Sequence, residues 1–255
     1  MTDAMPITAP IFEAIGLRKS FGGVHATRDL SLTLELGEVH ALIGPNGAGK
    51  TTALAQLSGE LRPDAGSVRF RGQDITPLSM AARSRLGIAR SFQITAVFED
   101  FTVLDNVAVA VQSRARHHFA FWRPAARDRT LIEPAEQVLE QVGLAGFAKR
   151  RAGDLAHGQK RQLEIAMALA TRPTVLLLDE PMAGMGRAES ETITELLERV
   201  RPNHAILLVE HDMDVVFRLA DRVSVLVGGA LLASGPPEAV RQDAQVRAAY
   251  LEESI

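Results

Sequence analysis

The chain has 255 residues, of which 46% are hydrophobic and 23% charged, as is ordinary for a soluble globular protein. Its formal charge of −3 gives no general attraction to nucleic acid, and the absence of cysteine excludes disulfides and thiolate metal sites. No apolar run is long enough to cross a bilayer and residues 1–10 lack the pattern of a signal peptide, so we predict a cytosolic protein that reaches a membrane only through partners.

The first predicted elements are short strands joined by turns. Ile11–Ile15 is strand-like, a glycine pair at residues 22–23 marks a turn, and residues 30–35 alternate apolar and polar side chains as a half-exposed antiparallel strand does. Residues 66–71 have the same character and are expected in the same small sheet. Phe21 precedes the glycine pair, where its ring is either part of the core or a platform for a nucleotide base.

A phosphate-binding loop follows the next predicted strand, Val39–Ile43. The loop fits the pattern G-x-x-x-x-G-K-[ST] and consists of Gly44, Pro45, Asn46, Gly47, Ala48, Gly49, Lys50, Thr51 and Thr52. A helix is expected from Gly49, and its N-terminus adds partial positive charge where glycines let backbone N–H groups turn onto phosphate oxygens. Lys50 should reach the β- and γ-phosphates and Thr51 should bind Mg²⁺. The loop therefore predicts a nucleoside triphosphate site.

From Thr95 to Ala170 the pattern changes from strands to helices. A short helix and the strand-like residues 87–92 lead to Gln93, at a strand end where loops tend to carry chemistry. The helices expected after it run from Val103 to about Gln112, from about Pro134 to Val142, and from near Gly158. We interpret residues 94–170 as an inserted helical subdomain.

A basic, aromatic loop at residues 114–129 interrupts these helices. It contains five arginines together with His117, His118, Phe119, Phe121 and Trp122. Such a composition can bind nucleic acid or lipid head groups, whereas a solvated surface loop that packs one aromatic side chain is the simpler interpretation and the one we favour.

Two strands in the C-terminal part end in polar residues. Residues 174–178 are a continuous apolar run, typical of a central parallel strand, and Asp179 and Glu180 follow at its carboxyl end, where α/β folds place their ligands. Residues 205–209 likewise lead to His211, and a histidine at such a position is structural as often as functional. The fold is closed by a helix, strands over Val223–Val227 and Leu231–Ser234, and a short last helix through Tyr250.

Taken in this order, these features resemble the ATP-binding subunits of ABC transporters over nearly the whole chain. The features are Phe21, the phosphate-binding loop, Gln93, the segment Leu155–Gln159, Asp179 with Glu180, and His211. The resemblance implies a single α/β P-loop NTPase domain over residues 1–255, with a mainly parallel central sheet flanked by helices. In this scheme residues 1–93 and 171–255 form the RecA-like core with a small antiparallel β subdomain, and residues 94–170 form the helical subdomain.

The same resemblance implies a role for each residue. Phe21 would stack on adenine beside Val24, and Asn46, Gly47, Ala48, Gly49, Lys50, Thr51 and Thr52 would bind the phosphates. Mg²⁺ would be held by Thr51, Gln93 and Asp179, with Gln93 also contacting the attacking water. Glu180 would be the general base, and His211 would contact the γ-phosphate. These groups supply the positioning and charge neutralisation that phosphoryl transfer needs.

Leu155–Gln159, the signature segment, caps a helix that in the family faces the γ-phosphate bound by a second subunit. Its contacting residues would be Ala156, His157, Gly158 and Gln159. The family usually has Leu-Ser-Gly-Gly-Gln here, so Ala156 loses a hydroxyl contact while backbone contacts remain available. His157 either donates to the phosphate or fills space at the interface. Ala183–Gly186, the D-loop, also departs from the family, because Gly186 stands where aspartate is common.

Several segments further resemble the importers of branched-chain and hydrophobic amino acids. They are Phe21–Val24, Phe101–Val107, Leu163–Ala166, Glu180–Met185 and Ala249–Leu251. The implied cofactors are ATP and Mg²⁺. The implied partners are a second ATPase subunit, identical or not, bound head to tail, two permease subunits and, indirectly, a periplasmic solute-binding protein, on the inner face of the membrane and without nucleic acid.

Three other functions are alternatives to amino-acid import. The related urea importers have similar segments, so urea import is one alternative. A soluble ABC ATPase of DNA repair or of ribosomes is disfavoured, because those proteins usually have two cassettes, coiled-coil insertions or basic arms. A small-molecule kinase would not explain the signature segment, Gln93 and His211 together.

Overall fold

The computed structural model of the chain describes residues 10–91, 97–114 and 128–251. These residues fall into two compact units, one built from the chain up to Ser79 and from Arg201 onward, the other from Met80–Val200. Gln93 and most of the basic, aromatic loop lie outside the described residues. The helical subdomain predicted from the sequence lies within the second unit, and its limits stay a prediction.

The described strands and helices follow one another through both units. In chain order they are β1 (Phe12–Phe21), β2 (Val24–Leu34), β3 (Val39–Ile43), α1 (Lys50–Ser58), β4 (Ala65–Phe70), β5 (Gln73–Asp74), α2 (Met80–Leu86), β6 (Ile88–Arg90), α3 (Val103–Arg114), α4 (Arg129–Gln141), α5 (His157–Ala170), β7 (Val175–Asp179), α6 (Arg187–Val200), β8 (Ala205–Val209), α7 (Met213–Leu219), β9 (Arg222–Val227), β10 (Ala230–Gly235), α8 (Pro237–Gln242) and α9 (Ala244–Leu251). Within these described ranges no helix is long and apolar enough to cross a membrane.

The first unit contains the predicted antiparallel sheet, in the order β2-β1-β4-β5. Alternate residues of β1 face the core, so Phe12 is fully buried and pairs with Leu34 on one side and Phe70 on the other. The strand predicted to end at Ile15 continues to Phe21, because Gly16 (φ 58°) forms an irregularity that interrupts the alternation without ending the strand.

The same unit holds strands of a second, mainly parallel sheet, in the order β10-β9-β3-β8. β3 pairs in parallel with β8 and β9, and only β10 is antiparallel. Every residue of β3 and β8 is buried, which explains their unbroken apolar sequences. The short last helix predicted through Tyr250 is α9. A further helix, α8, precedes it; Asp243 interrupts the helical backbone after α8, and its side chain caps α9 by accepting from the Gln245 N–H at 2.8 Å.

The second unit combines a parallel strand pair, β6 and β7, with helices α2 to α6. α4 begins at Arg129, ahead of the predicted start at Pro134, because Asp128 caps it by accepting from the Thr130 N–H at 3.0 Å. Pro134 therefore lies inside the helix. The predicted fold class, an α/β protein with parallel strands, an N-terminal antiparallel sheet and an inserted helical region, is confirmed.

Candidate ATPase site

The phosphate-binding loop joins β3 to α1 through three glycines with positive φ, Gly44 (149°), Gly47 (76°) and Gly49 (104°). A Cβ atom on Gly44 would lie 2.0 Å from the carbonyl oxygen of Leu226, and one on Gly49 would lie 2.1 Å from that of Ala26. At Gly47 such an atom would meet nothing within 4 Å. Glycine is therefore required at positions 44 and 49 because the loop packs closely against the backbone of Leu226 and Ala26. The sequence pattern does not reveal this packing.

Lys50, the first residue of α1, is held within the loop. Its side chain is buried, and its ammonium donates hydrogen bonds to the carbonyl oxygens of Gly44 at 2.5 Å and Pro45 at 3.0 Å. Thr51 follows on the first turn of the helix and is exposed. The fold thus places the ammonium and the hydroxyl at the helix N-terminus, where anions are favoured.

Phe21 and Val24 form the tip of the hairpin between β1 and β2. They are a cross-strand pair, and their exposed fractions are 53% and 68%. The Lys19 ammonium lies 5.7 Å from the centre of the Phe21 ring. Phe21 is therefore not a core residue, and its ring is available to a flat ligand.

His211 follows β8, as predicted, and is 67% exposed along its side chain. The preceding Glu210 is buried, and its carboxylate accepts from the His211 N–H at 3.2 Å. Asp212 caps α7 by accepting from the Asp214 N–H at 3.0 Å. The backbone is thus fixed on both sides of His211, while its ring projects to the surface.

Asp179, the last residue of β7, is 1% exposed and forms an ion pair with Arg90 of the neighbouring strand, with 3.1 Å between Arg90 Nη2 and Asp179 Oδ2. Burial raises the pKa of the Asp179 carboxyl, and Arg90 opposes that shift. The Ser91 hydroxyl oxygen accepts from the Asp179 backbone N–H at 3.3 Å. The sequence indicated Asp179 but gave no sign of its partner Arg90.

Glu180 lies directly after the strand and adopts a left-handed backbone conformation, with φ 46°. A residue with a side chain is disfavoured there by about 1–2 kcal/mol. Its carbonyl oxygen accepts from the Ala183 N–H at 3.1 Å, which closes a tight turn. Backbone strain of this kind is often found at functional sites.

The signature segment opens α5, with Ala156 at the capping position. The Gln159 side chain accepts from the Ala156 N–H at 3.1 Å, but Ala156 has no side-chain oxygen with which to cap the helix in return. Glu189 of α6 accepts instead from the N–H groups of Gly158 and Gly186, both at 3.3 Å. A phosphate that approached the Gly158 N–H would therefore compete with the Glu189 carboxylate.

His157 contacts the D-loop within the same unit. Its Nε2 atom lies 3.4 Å from the carbonyl oxygen of Ala183. A Cβ atom on Gly184, which has φ 75°, would lie 3.7 Å from the same nitrogen. The ring of His157 is exposed, so both roles predicted for it, as a donor and as a space-filling group, remain predictions.

Comparison with known proteins identifies two family matches. Residues 27–183 match the family described as ABC transporter. Residues 230–251 match the family described as branched-chain amino acid ATP-binding cassette transporter. The second match lies outside the first and covers β10, α8 and α9.

Relatives and solved structures agree with these matches. The high-affinity branched-chain amino acid transport ATP-binding protein BraF of Pseudomonas aeruginosa is 40% identical, and LivG of Escherichia coli K12 is 37% identical; each comparison covers 97% of this chain and 100% of the relative. The ADP conformation of MJ1267, an ATP-binding cassette of an ABC transporter, has a TM-score of 0.86 at 30% identity over 96% of this chain and 99% of that one. A dimeric cassette, MJ0796, shares the fold with a TM-score of 0.76 at 23% identity, over 89% of this chain and 98% of that one.

Proposed function

Because this chain belongs to the ABC transporter family of ATP-binding cassettes, we propose that it powers the import of branched-chain or other hydrophobic amino acids through partner permeases. The resemblance noted from the sequence is thereby confirmed, and with it the activity of the family, which is to bind ATP and hydrolyse it to drive transport. One observation carries the substrate class: the likeness to branched-chain transporters extends over 97% of the chain, and residues 230–251 have a separate match to a branched-chain family.

We assign ATP binding to the phosphate-binding loop and the hairpin tip. Asn46, Gly47, Ala48, Gly49, Lys50, Thr51 and Thr52 would surround the phosphates, and Phe21 with Val24 would contact the base. The positive φ of Gly47, the open space beside it and the exposed ring of Phe21 support this assignment. Lys50 would exchange its bonds to loop carbonyls for bonds to β- and γ-phosphate oxygens, which are stronger because both partners are charged.

Thr51, Gln93 and Asp179 are the proposed Mg²⁺ ligands. Hydroxyl, amide and carboxylate oxygens are the hard donors that this ion prefers, so the set of residues fits. The buried carboxylate of Asp179 already requires a cation, which Arg90 supplies in this structure. When bound, Mg²⁺ would neutralise negative charge on the phosphates.

Hydrolysis is assigned to Glu180, His211 and Gln93. Glu180 would accept the proton of the attacking water, Gln93 would orient that water, and His211 would hydrogen-bond to the γ-phosphate. The strained conformation of Glu180 and the surface position of His211 support these roles.

A second ATPase subunit is the first proposed partner. Ala156, His157, Gly158 and Gln159 would face the nucleotide of that subunit, whose own signature segment would face the nucleotide of this one. The positive end of α5 and the exposed ring of His157 are suited to a phosphate, which would replace the Glu189 carboxylate at the Gly158 N–H. The two subunits would be attached to permeases on the inner face of the membrane, with a periplasmic solute-binding protein on the other side.

An exposed apolar surface of the second unit supports permease docking. Phe98 and Phe101 are stacked with 5.3 Å between ring centres and are 49% and 46% exposed. Val109 of α3 is exposed nearby on a groove that Phe101, Thr102, Asp105 and Leu131 also line. Exposed apolar side chains in such a cluster indicate a protein contact.

The proposed function is tested with the cassette assembled in vesicles with the permeases of a branched-chain amino-acid importer. We expect ATP hydrolysis to rise when a solute-binding protein loaded with leucine or valine is added, and not when it is offered urea. Phe101→Ser should lower the amount of cassette retained on the permeases, whereas Leu36→Ser, at another exposed apolar residue, should not. Stimulation by urea would favour the alternative importer, and a cassette that binds no permease would refute the proposal.

A further inference from the structure

Arg161 of α5 binds the backbone that carries Glu180. Its Nη2 atom donates to the carbonyl oxygens of Glu180 at 2.7 Å and Asp179 at 3.1 Å, and its Nε atom donates to that of Pro181 at 3.0 Å. We propose that Arg161 is a positioning residue for ATP hydrolysis, which sets the place of the Glu180 carboxylate by fixing the three peptide groups around it. This inference rests on the proposed role of Glu180 as general base.

The segment bound by Arg161 is one that needs external support. β7 ends at Asp179, and Glu180 turns away from the strand with φ 46°. A left-handed residue persists only where its surroundings hold it, because an extended conformation is otherwise favoured by about 1–2 kcal/mol. Three hydrogen bonds from a charged donor to consecutive carbonyl oxygens supply such support. The direction in which the Glu180 side chain leaves the backbone therefore depends on Arg161.

Arg161 is itself held in place by Glu164, one turn further along α5. Arg161 Nη1 lies 2.6 Å from Glu164 Oε2, and the two side chains are only 10% and 7% exposed. The carboxylate balances the guanidinium charge, so the pair enters the interior without net charge. The planar guanidinium has its donors fixed at the angles that this arrangement uses, whereas a lysine ammonium could not reach all three carbonyl oxygens.

A purely structural role would be the alternative, in which the ion pair only helps α5 to pack. The two roles differ in the quantity that a substitution of Arg161 would change. Misplacing a general base lowers kcat and leaves ATP binding intact, while a loss of packing lowers the unfolding temperature and does not depend on Glu180. Misplacement by about 1 Å lowers the rate of a reaction roughly a hundredfold.

The test compares Arg161→Lys, Glu180→Gln and the double variant in the full chain. We expect Arg161→Lys to lower kcat roughly 10- to 100-fold with little change in KM for ATP. In the Glu180→Gln background the same substitution should have no further effect on kcat, because the base that Arg161 positions is already lost. Gln162→Ala is the matched control, since Gln162 also donates from α5 to a backbone carbonyl, that of Val142 at 3.0 Å, and should keep the parental kcat.

A second variant guards against a failure to fold. Arg161→Met combined with Glu164→Leu removes both charges, so that neither is left buried without its partner, and should show the same loss of kcat. Parental kcat in either variant would overturn the inference, as would losses that multiply with that of Glu180→Gln. If Glu180→Gln alone hydrolyses ATP at the parental rate, the proposed general base is wrong. If Glu180→Gln is inactive and Arg161→Lys is fully active, only the inference about Arg161 is wrong.

Discussion

Gly49→Ala should destabilise the fold much more than Gly47→Ala, although the two glycines lie in the same loop. Both have positive φ, which costs about 1–2 kcal/mol for a residue with a side chain. At Gly49 the new methyl group would also lie 2.1 Å from the carbonyl oxygen of Ala26, and displacing backbone in a packed region costs about 1–3 kcal/mol. The expected loss of unfolding free energy is therefore about 2–5 kcal/mol at Gly49 and about 1–2 kcal/mol at Gly47.

Urea unfolding followed by circular dichroism, without nucleotide, measures these two losses. A separate titration with ATP should show a clear loss of affinity in Gly47→Ala, although its stability changes less. Its methyl group would occupy the open space in which we place the phosphates. Equal urea midpoints for the two variants would refute the conclusion that Gly49 is required by packing against Ala26. The reasoning would also be wrong if Gly47→Ala were the less stable of the two.

Four further predictions concern the site and the core. Glu180→Gln should keep ATP binding and lose hydrolysis roughly a hundredfold, and parental hydrolysis would remove Glu180 from the role of base. Phe21→Ala should weaken binding of a fluorescent ATP analogue by about 1–2 kcal/mol, and an unchanged affinity would exclude stacking. Burial lowers the pKa of His40 to about 4, so the neutral form is favoured in the folded state. About 3 kcal/mol of unfolding free energy should therefore be present above pH 6.5 and be lost as the pH falls towards 4. His40→Gln should flatten the plot of unfolding free energy against pH in this range. Arg90→Met leaves the Asp179 carboxylate buried without its ion-pair partner and should cost about 3–5 kcal/mol in urea unfolding, part of which Mg-ATP should restore; a variant as stable as the parent would show that the pair is not needed.

The parts of the fold that sequence patterns predicted are those in which neighbouring residues share an environment. β3 and β8 are buried along their whole length, so their sequences are unbroken apolar runs. The phosphate-binding loop was recognised because its function requires particular residues at a fixed local spacing. Errors occurred where a local signal was ambiguous, as at Gly16, which interrupts the pattern of β1 without ending it, and at Pro134, which lies inside α4.

The parts that could not be predicted are contacts between residues distant in sequence. Arg90 reaches Asp179, Arg161 reaches Glu180, and Glu189 reaches Gly158, and no periodicity relates the members of these pairs. A charged residue on a predicted strand or helix is normally assigned to the solvated face, so nothing marked Arg90 or Arg161 as buried. Their partners become visible only when the strands and helices have been packed together.

The hydrogen bonds of Lys50 to its own loop have a consequence for selectivity among ligands. Since the ammonium already has two carbonyl acceptors, at 2.5 and 3.0 Å, a ligand gains from it only the difference between those bonds and the new ones. A nucleoside offers no acceptor of greater charge, and so it leaves the lysine where it is. A chain of phosphates offers oxygens whose negative charge exceeds that of any peptide carbonyl. We therefore expect the loop to discriminate by the charge of the ligand, independently of the base.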